Sequence, residues 1–159
     1  MKRDEIKKLL ADTFGALSDK QIMALTIYGE ARGEAYRGKV AVGSVILERV
    51  DHRDWDGKTA KEVCLMPYQF SCFLPDDPNF KVLKFIAGNW NEAYEKSGVV
   101  QECYQIASGL IEGTTFRTPE IAANHICQYK TKDCHADWAE KMKLVVTIGR
   151  HEFYAEGKA

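Results

Sequence analysis

Tyr28-Gly29-Glu30-Ala31-Arg32-Gly33-Glu34 is the stretch on which the rest of this sequence depends. Two carboxylates stand four residues apart with an arginine between them, and a glycine interrupts the run just before the second. An apolar segment of helical period leads in through Ile22, Met23, Ala24, Leu25 and Ile27. A carboxylate at the end of a buried helix, beside a glycine break, can lose much of its hydration and still face a cleft. Desolvation of that kind raises a glutamate pKa toward neutrality and makes the group a usable proton donor. The alternative is an ordinary helix end with solvated charges.

The flanking sequence favours the buried helix. Ser18-Asp19-Lys20-Gln21 has the form of a capping box, with Ser18 as N-cap and Gln21 at the third helical position. The helix it opens is expected to run to about Ala31, which sets Glu30 in the last turn. The helix dipole disfavours a carboxylate there and pushes its pKa further up. From Arg37 to about Asp51 a second helix is apolar nearly all round (Val40, Ala41, Val42, Val45, Ile46, Leu47, Val50), the pattern of a helix buried on most sides. Ser44 and Glu48 lie one turn apart on it.

Before these, residues 2–12 form an amphipathic helix that Gly15 breaks. After them, Thr59-Ala60-Lys61-Glu62 has the form of a second capping box, opening a short helix that Pro67 ends. Residues 79–96, with a weak break near Gly88-Asn89, and residues 99–112, stopped by Gly113, complete a helical body. Beyond Thr118-Pro119 the period changes. Residues 121–129 and 144–148 are expected to be extended, with Gly149-Arg150 turning the chain into His151-Glu152-Phe153-Tyr154. The expected fold class is therefore α+β, mainly helical with a small antiparallel sheet, in one domain.

Composition bounds the function. At 159 residues, with 45% apolar and 28% charged side chains, this is ordinary globular usage, sufficient for one core. A net charge of −1 gives no broad attraction to nucleic acid or an anionic membrane, so neither is expected as a partner. No run approaches the roughly 18 apolar residues of a membrane span. The start, Met1-Lys2-Arg3-Asp4-Glu5-Ile6, has no apolar core of signal-peptide length behind it, which implies synthesis in the cytoplasm. Five cysteines without a Cys-x-x-Cys pair point to free thiols, most of them buried.

Four motifs in order carry a resemblance. Ile27 to Glu34 is followed by Gly38-Lys39-Val40-Ala41-Val42 and Val45 to Val50. Gln69-Phe70-Ser71 comes next, and Ala123-Asn124-His125, Asp137-Trp138-Ala139 and Ile148 to Tyr154 close the series. Together they resemble the cell wall hydrolase family of spore cortex-lytic enzymes (SleB/CwlJ type), from about residue 20 to 154. The resemblance implies a lysozyme-like fold related to lytic transglycosylases, cleavage of peptidoglycan glycan strands by a monomer, and Glu30 as the catalytic acid. It implies no cofactor and no metal. Similar domains occur in phage lysis genes, so the missing signal peptide fits an endolysin released through a holin.

A transglycosylase needs one carboxylate, whereas a hydrolytic lysozyme normally uses two. Glu34 and Glu48 are the candidates for the second. For Glu34 the other reading is an ion pair with Arg32 or Arg37; for Glu48, which replaces an asparagine common in the family, it is a pair with a neighbouring base. Ser44, Gln69, Phe70, Ser71 and His125 are the candidate substrate contacts, with Tyr68 beside them. Against these stand backbone-satisfied hydroxyls, a closed hydrophobic corner and, for His151, packing of the terminal hairpin. Trp138 is expected in the core. Two other functions compete: a zinc amidase or peptidase drawing on His125, Cys127, Cys134 and His135, and a peptidoglycan-binding domain without activity. The zinc enzyme lacks a His-Glu-x-x-His helix.

Overall fold

The computed structural model describes residues 1–157. Among them, eight α-helices precede and flank a three-stranded antiparallel sheet. The helices are α1 Arg3–Phe14, α2 Asp19–Ala31, α3 Tyr36–His52, α4 Ala60–Leu65, α5 Pro78–Gly88, α6 Trp90–Lys96, α7 Gly98–Glu112 and α8 Pro119–Ala123. The strands are β1 Gln128–Thr131, β2 Lys143–Ile148 and β3 His151–Ala155. No helix among the described residues is long and apolar enough to cross a membrane.

The ends of α2 follow from its sequence. Ser18 Oγ accepts the Gln21 N–H, and Gln21 returns its side-chain oxygen to the Ser18 N–H, so two of the helix's unpaired donors are satisfied reciprocally. Asp19 also accepts the Lys61 N–H at 2.8 Å, while Lys61 Nζ donates to the carbonyls of Gly15 and Leu17. This ties the start of α2 to α4. The second expected capping box is only half formed. Thr59 caps α4 through the Glu62 N–H, but the Glu62 carboxylate accepts from Lys58, one residue too early.

Helix α3 is apolar all round because it separates two cores. Val40, Val42 and Ile46 join the helical cluster of α1, α2, α4, α5 and α7. Ala41 and Val45 face the other way, against Ile121, Ile126, Ile148 and Phe153 of α8 and the sheet. Burying a face on each side is the only arrangement that uses such a sequence without exposing it.

Strand β3 lies centrally, in the order β1-β3-β2, with Tyr129 opposite Phe153 and Thr131 opposite His151. A register irregularity interrupts the β2–β3 pairing between Leu144 and Val146. One expected strand is corrected. Residues 121–123 continue a short helix rather than starting an extended run, because Pro119 supplies a pre-set first helical residue. His125 then turns the chain at φ 49°, a left-handed conformation, before β1 begins.

Removing the Ser18 cap should be felt by the whole fold. Ser18→Ala is expected to lower unfolding free energy by about 1 kcal/mol, measured by urea denaturation. Lys8→Ala, which breaks an exposed i,i+4 pair, should leave it essentially unchanged.

Candidate active site

Glu30 sits in the last turn of α2, half-buried, where the helical body meets the sheet. Its Oε1 accepts a 2.6 Å hydrogen bond from the Tyr129 hydroxyl of β1. The Cys72 thiol also faces it, on the short 3₁₀ turn Ser71–Phe73. That close approach explains Gly29. A Cβ there would stand 2.8 Å from Cys72 Cβ and 2.9 Å from its Sγ, so only glycine lets the turn pack on the helix end.

Burial raises the Glu30 pKa above its ordinary 4.5, with the Asp77 charge adding a little. The Tyr129 and Cys72 hydrogen bonds and the Arg49 guanidinium act against it, and burial prevails. The same burial, with Glu30 nearby, holds the Tyr129 phenol and the Cys72 thiol well above their ordinary values. Both therefore stay protonated at neutral pH and remain hydrogen-bond donors to the carboxyl.

Two adjoining cavities share Glu30, Thr131 and His151 as walls and together make up the groove beside Glu30. The larger, about 440 Å³, is lined by Tyr68, Gln69 and Ser71 on one side and by Tyr129, Lys130 and Trp138 on the other, with Arg49 beneath. Arg49 is buried; its Nε donates to the Cys127 carbonyl at 2.8 Å and its guanidinium lies 4.7 Å over the Phe70 ring. Its Nη1 has no partner. A buried cationic donor without a protein partner, beside a buried carboxyl, carries a desolvation cost.

The expected site residues divide accordingly. Glu30, Gln69 and Ser71 come together in the groove. Phe70 does not reach it: the ring is buried in the helical core, beneath Arg49. Ser44 is also elsewhere, donating to the Val40 carbonyl at 2.7 Å and accepting the Thr118 N–H at 2.9 Å, so it joins α3 to α8. Glu48 and His125 lie outside both cavities that Glu30 lines. They bond to each other, and Glu48 also to Arg117, a base nearly seventy residues along rather than a neighbour.

Glu34 does line the smaller cavity with Glu30. It does not pair with Arg32 or Arg37. Its Oε1 accepts the Arg150 N–H at 2.7 Å, in the β2–β3 turn, and lies 3.7 Å from His151 Nδ1. Gly149 makes this turn at φ 57°, and a Cβ there would collide with the Glu34 carboxylate. His151 is buried, as the hairpin-packing reading expects, and burial lowers its pKa. Trp138, expected in the core, is half-buried at the groove wall, edge-on to Tyr154 at 5.3 Å.

Tyr129, Cys72 and Arg49 were not among the expected site residues. Tyr129 is 99 residues from Glu30 in the chain, and only the register of β1 against β3 brings it in. An arginine within an otherwise apolar helix was the one available signal for Arg49.

The chain belongs to the cell wall hydrolase family, whose model matches residues 33–154, beginning just after Glu30. Its fold is that of the catalytic domain of the germination-specific lytic transglycosylase SleB from Bacillus anthracis. The TM-score is 0.57 at 25% identity, over 87% of this chain and 97% of that one. The catalytic domain of the Bacillus cereus SleB protein matches equally, at 26% identity over 86% and 88%. In sequence, 34 residues are 59% identical to a spore cortex-lytic enzyme of Oceanobacillus iheyensis. That stretch covers 21% of this chain and only 12% of that relative's length.

The raised Glu30 pKa has a consequence for stability. The folded state keeps the proton over the interval between the unfolded value near 4.5 and the higher folded value. Wild-type stability therefore falls as pH rises through that interval, by up to about 1.4 kcal/mol per unit, and levels off above it. Glu30→Gln carries no such loss. Its Tm advantage over wild type should grow with pH above 4.5 and then plateau; a difference independent of pH would contradict the assignment.

Proposed function

We propose that this protein cleaves the glycan strand of peptidoglycan at the MurNAc–GlcNAc β-1,4 bond as a lytic transglycosylase, with Glu30 as acid and then base. The observation that carries this reading is a desolvated carboxyl, held by Tyr129, that lines two adjoining cavities. The likeness in fold to the lytic transglycosylase SleB of Bacillus anthracis supports the same reaction class.

Glu30 enters protonated and delivers its proton to the departing glycosidic oxygen as the C–O bond breaks. The resulting carboxylate then takes the proton of the muramoyl 6-hydroxyl, whose oxygen closes a 1,6-anhydro ring on the oxocarbenium-like centre. The acid is restored, and no water is consumed. Tyr129, donating to Oε1, holds the carboxyl in one orientation and eases its charge between the two transfers. Arg49 lines the groove beside Glu30, and Tyr68 and Trp138 offer aromatic faces along it.

A hydrolytic lysozyme is the second reading, favoured by Glu34 in the adjoining cavity. Its Oε1 is engaged by the Arg150 amide, which suits a carboxylate that holds the hairpin turn better than one that activates water.

Digestion of purified peptidoglycan tests the proposal. Glu30→Gln should abolish release of fragments. Tyr129→Phe should keep measurable activity and move the alkaline limb of the pH profile upward, because the lost hydrogen bond was lowering the Glu30 pKa. A downward or absent shift, or undiminished release by Glu30→Gln, would defeat this role for Glu30.

A further inference from the structure

Outside the two cavities that Glu30 lines, Glu48, His52 and His125 converge. Glu48 and His52 are one helical turn apart on α3, and His125 arrives from the loop between α8 and β1. His125 Nδ1 stands 3.1 Å from Glu48 Oε1, and His52 Nε2 stands 3.6 Å from the same oxygen. All three donor atoms lie within 4.8 Å of one another. The two imidazoles face each other at 4.1 Å between ring centres. We propose that Glu48, His52 and His125 form a binding site for a divalent transition-metal ion, with zinc as the best-suited occupant.

The chemistry of the set matches that ion. Two imidazole nitrogens and one carboxylate oxygen are zinc ligands, and metal–ligand bonds of about 2.0–2.2 Å in a tetrahedron put neighbouring donors about 3.3 Å apart. The two edges that meet at Glu48 Oε1 already bracket that spacing. The carboxylate side chain is buried, at 3% exposure, while the imidazoles are 42% and 61% exposed. An ion therefore has a fixed anionic floor and an open approach, with the remaining coordination position toward solvent.

The surroundings do not oppose a dication. Arg117 takes the other oxygen of Glu48 and shares itself with Asp51 at 2.6 Å. Arg53 is paired with Asp56 at 3.0 Å. Arg117 and Arg53 thus each have a carboxylate besides Glu48 Oε1, which is left to the histidines. Glu156 adds a further acid to the cavity that His52 and His125 line. His125 holds its place at φ 49°, a backbone conformation of slight cost that turns its ring back onto α3.

Such an ion would be structural, outside the groove where glycan is cut. It would pin the loop that leads into β1, the strand carrying Tyr129, onto α3, where Arg49 and Arg53 already grip the Cys127 carbonyl. The set differs from the zinc-enzyme ligands considered from sequence: only His125 is common to both.

Isothermal titration of chelator-stripped full-length protein with Zn²⁺ tests the site. Wild type and Glu30→Gln should each bind one equivalent, with a Tm rise of about 5 °C at saturation. His52→Ala and His125→Ala, both at exposed positions that leave the fold intact, should each weaken binding by at least about a hundredfold. Absence of stoichiometric binding in wild type overturns the proposal. So does binding that survives in either histidine variant, which would put the ion elsewhere, such as at Cys134, His135 and Asp137.

Discussion

The hydrogen bond from Tyr129 to Glu30 is the contact on which the site depends, because it joins the end of a helix to a strand formed about a hundred residues later. It requires α2 to stop at Ala31, α3 to separate two cores, and β1 to pair with β3 in a single register. A one-residue slip of β1 would turn Tyr129 to the opposite face and leave the carboxyl with Cys72 alone. Tyr129 is itself held between Phe153 and His151, at 5.5 and 5.1 Å between ring centres. The sheet is small, but it fixes the hydroxyl that hydrogen-bonds Glu30.

Two opposing effects set that charge. Burial favours the neutral acid, while the phenol, the thiol and Arg49 favour the carboxylate. In the proposed reaction Glu30 gives a proton and then takes one back, and both effects act on it: burial favours the acid it starts as, and the donors around it favour the carboxylate it becomes. The hairpin turn at Gly149-Arg150 closes the far end of the groove by engaging Glu34. This explains why a second carboxylate so near Glu30 can be part of the scaffold.

Much of this was legible in the sequence where the signals are local. The Ser18 box fixed the start of α2, the all-round apolar pattern of residues 40–50 marked the buried helix, and Gly113 stopped α7 in a left-handed conformation at φ 81°. The misplacements arise from contacts made at long range or from patterns with two solutions. Residues 119–127 carry apolar positions that suit either a strand or a short helix, and the proline decided for the helix. Ser44 shares a helix with groove residues, yet a buried hydroxyl on α3 is satisfied by Val40 and Thr118 before any sugar can reach it. Phe70 lies between two groove residues in sequence, but in a turn adjacent side chains diverge, and its ring went to the core. Tyr129 was not legible because nothing local distinguishes a tyrosine that meets a glutamate from one that packs a hairpin; Arg49 was marked only by its charge on a largely apolar helix.

In the proposed reaction one carboxylate, Glu30, does all the proton transfer, and the sugar's own hydroxyl, rather than water, completes it. Mass spectrometry of muropeptides released from purified peptidoglycan distinguishes this from hydrolysis. Fragments ending in 1,6-anhydromuramic acid are expected, each lighter by one water than the corresponding hydrolysis product, and none from Glu30→Gln. Reducing-end muramic acid as the main product would contradict it, and would turn attention to Glu34 as the group that activates water.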